Sequence, residues 1–303
     1  MTRNDRWLAL ILAVIGGFSL WWLAGSAPIG SRTISVADPS VAKLGKVWVG
    51  QTNNYEITSH ATVVQTQQAG STVEALTRAY LQLFGLEDKV LPRGGLKLTL
   101  YKDAAGFAAH ASAPAGVLAW YRAPICYAYF DAGEPAASRW MLHAATHQLN
   151  HEALHPKSRW IDEGLASYFA ASRVEDYTLV AGKIEPHAYP ASLLPRLELS
   201  GDLKQDFAAD KLVPLRALIT GKGGPDINTH VNAFYIGYWS LTHFLLHAEA
   251  GRYAAKYREL ASAGGSLEDF ERLIGPVDTI QSQWYRYLQG LSGVDPDQVI
   301  VVD

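Results

Sequence analysis

The sequence predicts an α+β fold. A small N-terminal β-sheet with a helix comes first, then a pair of helices, then a helical C-terminal part. Two observations carry this. Strand-like alternation is confined to residues before 132, and beyond residue 136 apolar residues recur mostly at helical spacing. Strands followed by helices, rather than alternating with them, point to α+β. The chain has 303 residues, 49% hydrophobic and 18% charged, which is ordinary for a folded protein.

Residues 1–25 read as a membrane anchor or signal segment. The run at 7–24, WLALILAVIGGFSLWWLA, carries no charge and follows Arg3 and Arg6. As a helix it covers about 27 Å, near the thickness of a bilayer core. The two arginines place the N-terminus in the cytoplasm and the rest outside, in the periplasm or beyond the cell. A cleaved signal peptide is the alternative, with a cut after Ser26 giving a secreted protein. Residues 26–45, rich in Gly, Ser, Pro and Ala, read as a linker, and residues 46–303 as one domain.

Within that domain YEITSH (55–60) and LKLTLY (96–101) alternate as strands do. Residues 71–85 show helical spacing with a Ser/Thr start and a Gly stop. A short helix is expected at 107–111. Residues 116–131 read as two strands joined near Ala123-Pro124. Helices are expected from about residue 136, at 160–173, 231–249, 252–263, 267–273 and 279–291. The net charge of −3, with no Lys/Arg stripe, gives no reason to expect nucleic acid binding. Cys126 is the only cysteine, so neither an internal disulfide nor a cysteine-rich metal site can form.

The most distinctive stretch is 143–163, HAATHQLNHEALHPKSRWIDE. His143, His147, His151 and His155 follow one another at intervals of four. That spacing puts neighbours on one helix face, and any adjacent pair can chelate a metal ion. All four drift by about 120° and cannot share one ion. The HExxH zinc motif appears intact only at 151–155, and at 143–147 Ala144 stands in the glutamate position. Glu163 is the natural third ligand, which would leave one coordination position open.

Leu142 to Leu149 (LHAATHQL), followed after a loop by WIDEGLASYF, resembles the gluzincin metallopeptidases, specifically the peptidase-MA-like group. The resemblance covers most of the chain after the linker. Besides these motifs it includes the two alternating strands, NAFYIGYWSLTHFLL (232–246) and the C-terminal helices. It implies a zincin-like fold, a Zn2+ ion on His143, His147 and Glu163, and a peptide or protein as substrate or ligand. Helix levels agree. His147 lies about three residues before the end of a helix ending near Asn150, and Glu163 about three residues into the next. His151/His155 remains the alternative pair, although Pro156 disfavours helix at His155. Histidines holding no metal are the other alternative. His151 and Glu152 are expected at the rim, where they can hold the ring of a ligating histidine.

In that family the glutamate after the first histidine takes the proton of the attacking water, and alanine cannot. Ala144 therefore predicts a metal site without its usual base. A natural pseudoenzyme, an inactivated variant and a substitute carboxylate (Glu152 or Asp162) all stay open. Glu152 lies about 12 Å along the helix from Ala144, too far for direct substitution. The family also implies a tyrosine for the oxyanion. Tyr235 is the candidate and Tyr238 the second, against a reading of FYIGYW as plain core. Asp162 is expected to cap its helix, with orienting a ligand as the alternative, and Trp160 to lie in the core. His110, His187, His230, His243 and His247 have no persuasive partner.

Overall fold

A computed structural model describes residues 39–114, 116–130 and 135–292. The apolar run at 7–24 lies outside them. Among the described residues no helix is long and apolar enough to cross a membrane.

The fold is α+β. Strands β1 (Ser40–Leu44), β2 (Val47–Gln51), β3 (Tyr55–Ser59), β4 (Leu96–Tyr101), β5 (Ala119–Arg122) and β6 (Ile125–Tyr129) form one sheet in the order β1-β2-β3-β4-β6-β5. The β3–β4 and β4–β6 pairs are parallel and the others antiparallel. One face is buried through Tyr55, Ile57, Leu96, Leu98 and Leu100. The other carries polar residues such as Lys97 and Glu56, whose side chains pair at 2.8 Å. This one-sided burial explains why β3 and β4 alternate in sequence.

Helix α1 (Val63–Phe84) joins β3 to β4, and with α3 (Pro135–Leu149) it covers the buried face. The short helix α2 (Ala104–His110) packs against β4 and β6. Helix α4 (Arg159–Ala170) lies between α3 and α7 (Val231–Gly251). A hairpin of β7 (Ser172–Glu175) and β8 (Thr178–Ile184), the short helices α5 (Leu203–Ala208) and α6 (Leu215–Thr220), and then α8 (Ala254–Ala263), α9 (Leu267–Leu273) and α10 (Val277–Ser292) complete the chain.

Five expectations need correction. The stretch 26–45 is not all linker, because β1 occupies its last part. Helix α1 starts eight residues earlier than its apolar spacing suggests. Its start is set by a capping box, in which Thr62 accepts from the Gln65 backbone and Gln65 reaches back to Thr62. Helix α4 ends at Ala170 rather than 173, since Ser172 and Arg173 enter β7. The β7–β8 turn is made by Asp176 and Tyr177, both at positive φ (45° and 56°), with no Gly or Asn to announce it. Between α4 and α7, α5 and α6 are helical where a mixed stretch with many prolines was expected.

Gly164 sets how closely α4 and α7 approach. A Cβ there would collide with Thr242 Oγ1 and lie 3.1 Å from the Tyr238 carbonyl oxygen. A Gly to Ala change inside a helix ordinarily stabilises by about 0.5–1 kcal/mol. Gly164→Ala is instead expected to destabilise by about 1–3 kcal/mol, because the two helices must part. A lower denaturant midpoint checks this; an unchanged or higher midpoint would show that the helices separate at little cost.

Candidate metal centre

Helix α3 presents His143 and His147 one turn apart, and α4 brings Glu163 to the same level from its first turns. All three side chains are buried. His143 Nε2 and His147 Nε2 stand 3.2 Å apart. Glu163 Oε2 is 3.5 Å from the first and 3.8 Å from the second. These lengths are too long for good hydrogen bonds to the carboxylate. Glu163 Oε2 is buried with no hydrogen-bond partner. An orphaned buried carboxylate oxygen facing two imidazole nitrogens is costly unless a cation sits between them. The group of His143, His147 and Glu163 can bind a metal ion.

The three separations of 3.2, 3.5 and 3.8 Å leave room for one ion between the atoms, since ligands about 2.0–2.1 Å from a common ion stand about 3 Å or a little more apart.

The ring of His147 is held from behind. Its Nδ1 lies 2.9 Å from Asp162 Oδ1, so an Nδ1–H donated there turns Nε2 towards Glu163 and His143. Burial pulls the His147 pKa down, but the charge and hydrogen bond of Asp162, with Glu163 beyond, push it up to about 9. His143 has no such partner, and burial lowers its pKa. Burial would raise the Glu163 carboxyl, yet His143, His147 and the Arg159 guanidinium hold it at about 2. Arg159 Nε lies 3.8 Å from Glu163 Oε1, on the side away from the histidines' shared oxygen. A cation entering the triangle would displace the proton from His147 Nε2.

Of the two roles expected for Asp162, capping is not seen: Ser158 occupies the N-cap position and Asp162 reaches across to His147 on α3. One expectation is corrected. The partner of the ligating ring is Asp162, not His151 or Glu152. Those two pair with each other at 3.0 Å beyond the end of α3. There a π-turn at Asn150–Leu154 replaces the α-helix, and His155 ends it at φ 52°. The rings of His151 and His155 are 6.1 Å apart, and no third ligand converges on them among the described residues. Among the described residues the intact HExxH letters thus gather no group of three ligands, unlike His143, His147 and Glu163.

Ala144 is buried beside His143, with 4% exposure. Tyr235 on α7 is buried, its ring 6.3 Å from that of His143. Burial first, then the Glu163 charge, keep the Tyr235 hydroxyl protonated far above its usual range. Tyr238 stands behind it, 6.1 Å ring to ring. Trp140 on α3 and the half-buried Tyr189 complete an aromatic wall, with Trp140 5.6 Å from His143 and 5.7 Å from Tyr189. Neither Trp140 nor Tyr189 carries a metal-ligand or motif signature, so sequence reading passed over both.

The other residues weighed from sequence lie elsewhere. Trp160 is fully buried and donates to the Gly265 carbonyl. His243 and His247 pack beside Tyr168. His243 Nε2 donates to the Gly182 carbonyl, its Nδ1 accepts from the Tyr287 hydroxyl, and His247 bonds Tyr168. Burial, then His247, lowers the His243 pKa to about 3, so it serves as a neutral core residue. His230 pairs with Asp210 at 3.4 Å. His110 stacks near Tyr101, and His187 is exposed. No family model matches this chain, and no curated protein matches it in sequence.

Proposed function

We propose that this chain is a zinc-binding protein of gluzincin peptidase type whose peptide-bond hydrolysis is crippled by Ala144. The buried triangle of His143 Nε2, His147 Nε2 and Glu163 Oε2, with edges of 3.2, 3.5 and 3.8 Å, carries the reading. A Zn2+ ion held there supplies Lewis acidity, polarising a carbonyl and lowering the pKa of a water. In this reading Tyr235, whose ring lies 6.3 Å from that of His143 and whose hydroxyl burial keeps protonated, donates to an oxygen developing negative charge. The residue that should take the water's proton is missing. The carboxylates that face the centre, Glu163 and Asp162, are already engaged, one in the triangle and one on His147.

Ala144 also favours a second reading, a pseudopeptidase that grips a peptide or protein segment without cutting it. Both readings require the metal. Elemental analysis of protein purified without added metal is expected to find about one zinc per chain, removable by a chelator. A folded chain that retains no zinc, even after incubation with it, overturns both.

A further inference from the structure

The partner of His147 is itself held by two residues with no place in any metal-site motif. Asn150 Nδ2 donates to Asp162 Oδ1 at 2.8 Å and to the Asp162 carbonyl at 3.2 Å. Asn150 Oδ1 accepts from the Tyr80 hydroxyl at 2.9 Å. Asn150 is 1% exposed and Tyr80 fully buried. Every polar group of the Asn150 amide is thus used: both N–H groups on Asp162, the oxygen on Tyr80. The amide cannot flip without facing its NH2 to the tyrosine and its oxygen to a carboxylate. Asn150 lies three residues after His147, on the same face of α3, just where the π-turn begins. Tyr80 comes from α1, across the packing contact between α1 and α3.

We propose that Tyr80 and Asn150 are positioning residues of the metal centre: they fix Asp162, and through it the ring of His147. The affinity of the site for a divalent ion then depends on a hydroxyl in α1, two hydrogen bonds away from Asp162. Groups that orient a ligand's partner typically change metal affinity by about 10–100-fold. A carboxylate free to swing would let the His147 ring turn, and Nε2 would leave the triangle for part of the time.

This role presupposes the proposed metal centre, and the test separates the two. Zinc affinity is measured by chelator competition for the wild type, Tyr80→Phe, Asn150→Asp and Thr77→Val. Tyr80→Phe removes one hydroxyl and keeps the ring. Asn150→Asp keeps shape and the acceptor for Tyr80 but turns a donor towards Asp162 into an acceptor. Thr77→Val is the control: its hydroxyl is equally buried, one turn earlier in α1, and donates to the Val73 carbonyl in that helix's own turn, with the Tyr55 hydroxyl rather than Asp162 or Asn150 as its other neighbour. Tyr80→Phe is expected to weaken zinc binding about 10-fold, Asn150→Asp at least as much, and Thr77→Val not at all. The visible spectrum of the Co2+-loaded protein should change in the first two variants only. Tyr80→Phe and Asn150→Asp at wild-type affinity, or Thr77→Val weakened as much as Tyr80→Phe, overturns the positioning role while leaving the metal centre standing. A wild type that binds no zinc overturns both.

Discussion

Ala144→Glu is expected to raise hydrolysis of unfolded peptides by about 10²–10⁴-fold, and a chelator should abolish the gain. That factor corresponds to about 3–5 kcal/mol of transition-state stabilisation. Residue 144 follows His143 directly, and a helix turn of about 100° per residue puts it about 60° from His147, beside the ligand face. A carboxylate there reaches a water standing over the triangle, while His143, His147 and Glu163 are untouched. The same burial that makes the position effective makes it costly. Ala144 is 4% exposed, and a carboxylate at that depth needs a nearby cation. Zinc should therefore stabilise Ala144→Glu against heat more than it stabilises the wild type. Fluorescent casein and a broad peptide library supply the substrates. A folded, zinc-loaded Ala144→Glu protein inactive on all of them would count against the peptidase reading and leave the binding module ahead.

The ligand residues were legible because each obeys a local rule. His143 and His147 are four apart on one helix, and Glu163 sits where the next helix must pass if the two run side by side. Strands β3 and β4 were legible for a similar reason, since a sheet with one wet face writes its alternation into the sequence. What failed depends on contacts through space. Tyr80 lies 70 residues before Asn150 in the chain and meets it only because α1 packs on α3. Asp162 looks like a cap because it falls in the first turn of α4. Its actual direction follows from Ser158 taking the cap position and from the approach of α3. The early start of α1 was available as Thr62 and Gln65, a capping box that apolar periodicity does not detect. The β7–β8 hairpin turns on Asp176 and Tyr177, whose positive φ no local rule foretells. At 151–155 the letters of HExxH are intact, but Pro156 and the π-turn remove the helix that gives those letters meaning.

His147→Ala is expected to abolish zinc binding, whereas His155→Ala should keep about one zinc per chain. The first removes a vertex of the triangle and the residue that Asp162 holds; the second removes a side chain beyond the π-turn, where no group of three ligands gathers among the described residues. Loss of a ligand should exceed the about 10–100-fold effect of an orienting partner. His147→Ala also damages the apo protein. It leaves Asp162 without the imidazole and Glu163 with one neutralising neighbour fewer, and breaking a buried ion pair costs about 3–5 kcal/mol. That figure is an upper limit, because the Asp162 side chain is 38% exposed and partly screened. His143→Ala separates the two effects. It removes a vertex but leaves the 2.9 Å His147–Asp162 contact in place, so the fold should suffer less while zinc is still lost. Zinc content by elemental analysis and thermal unfolding of the chelator-treated proteins read both quantities. Full zinc in His143→Ala or His147→Ala, with loss in His155→Ala, would move the site to the 151–155 pair and contradict the triangle.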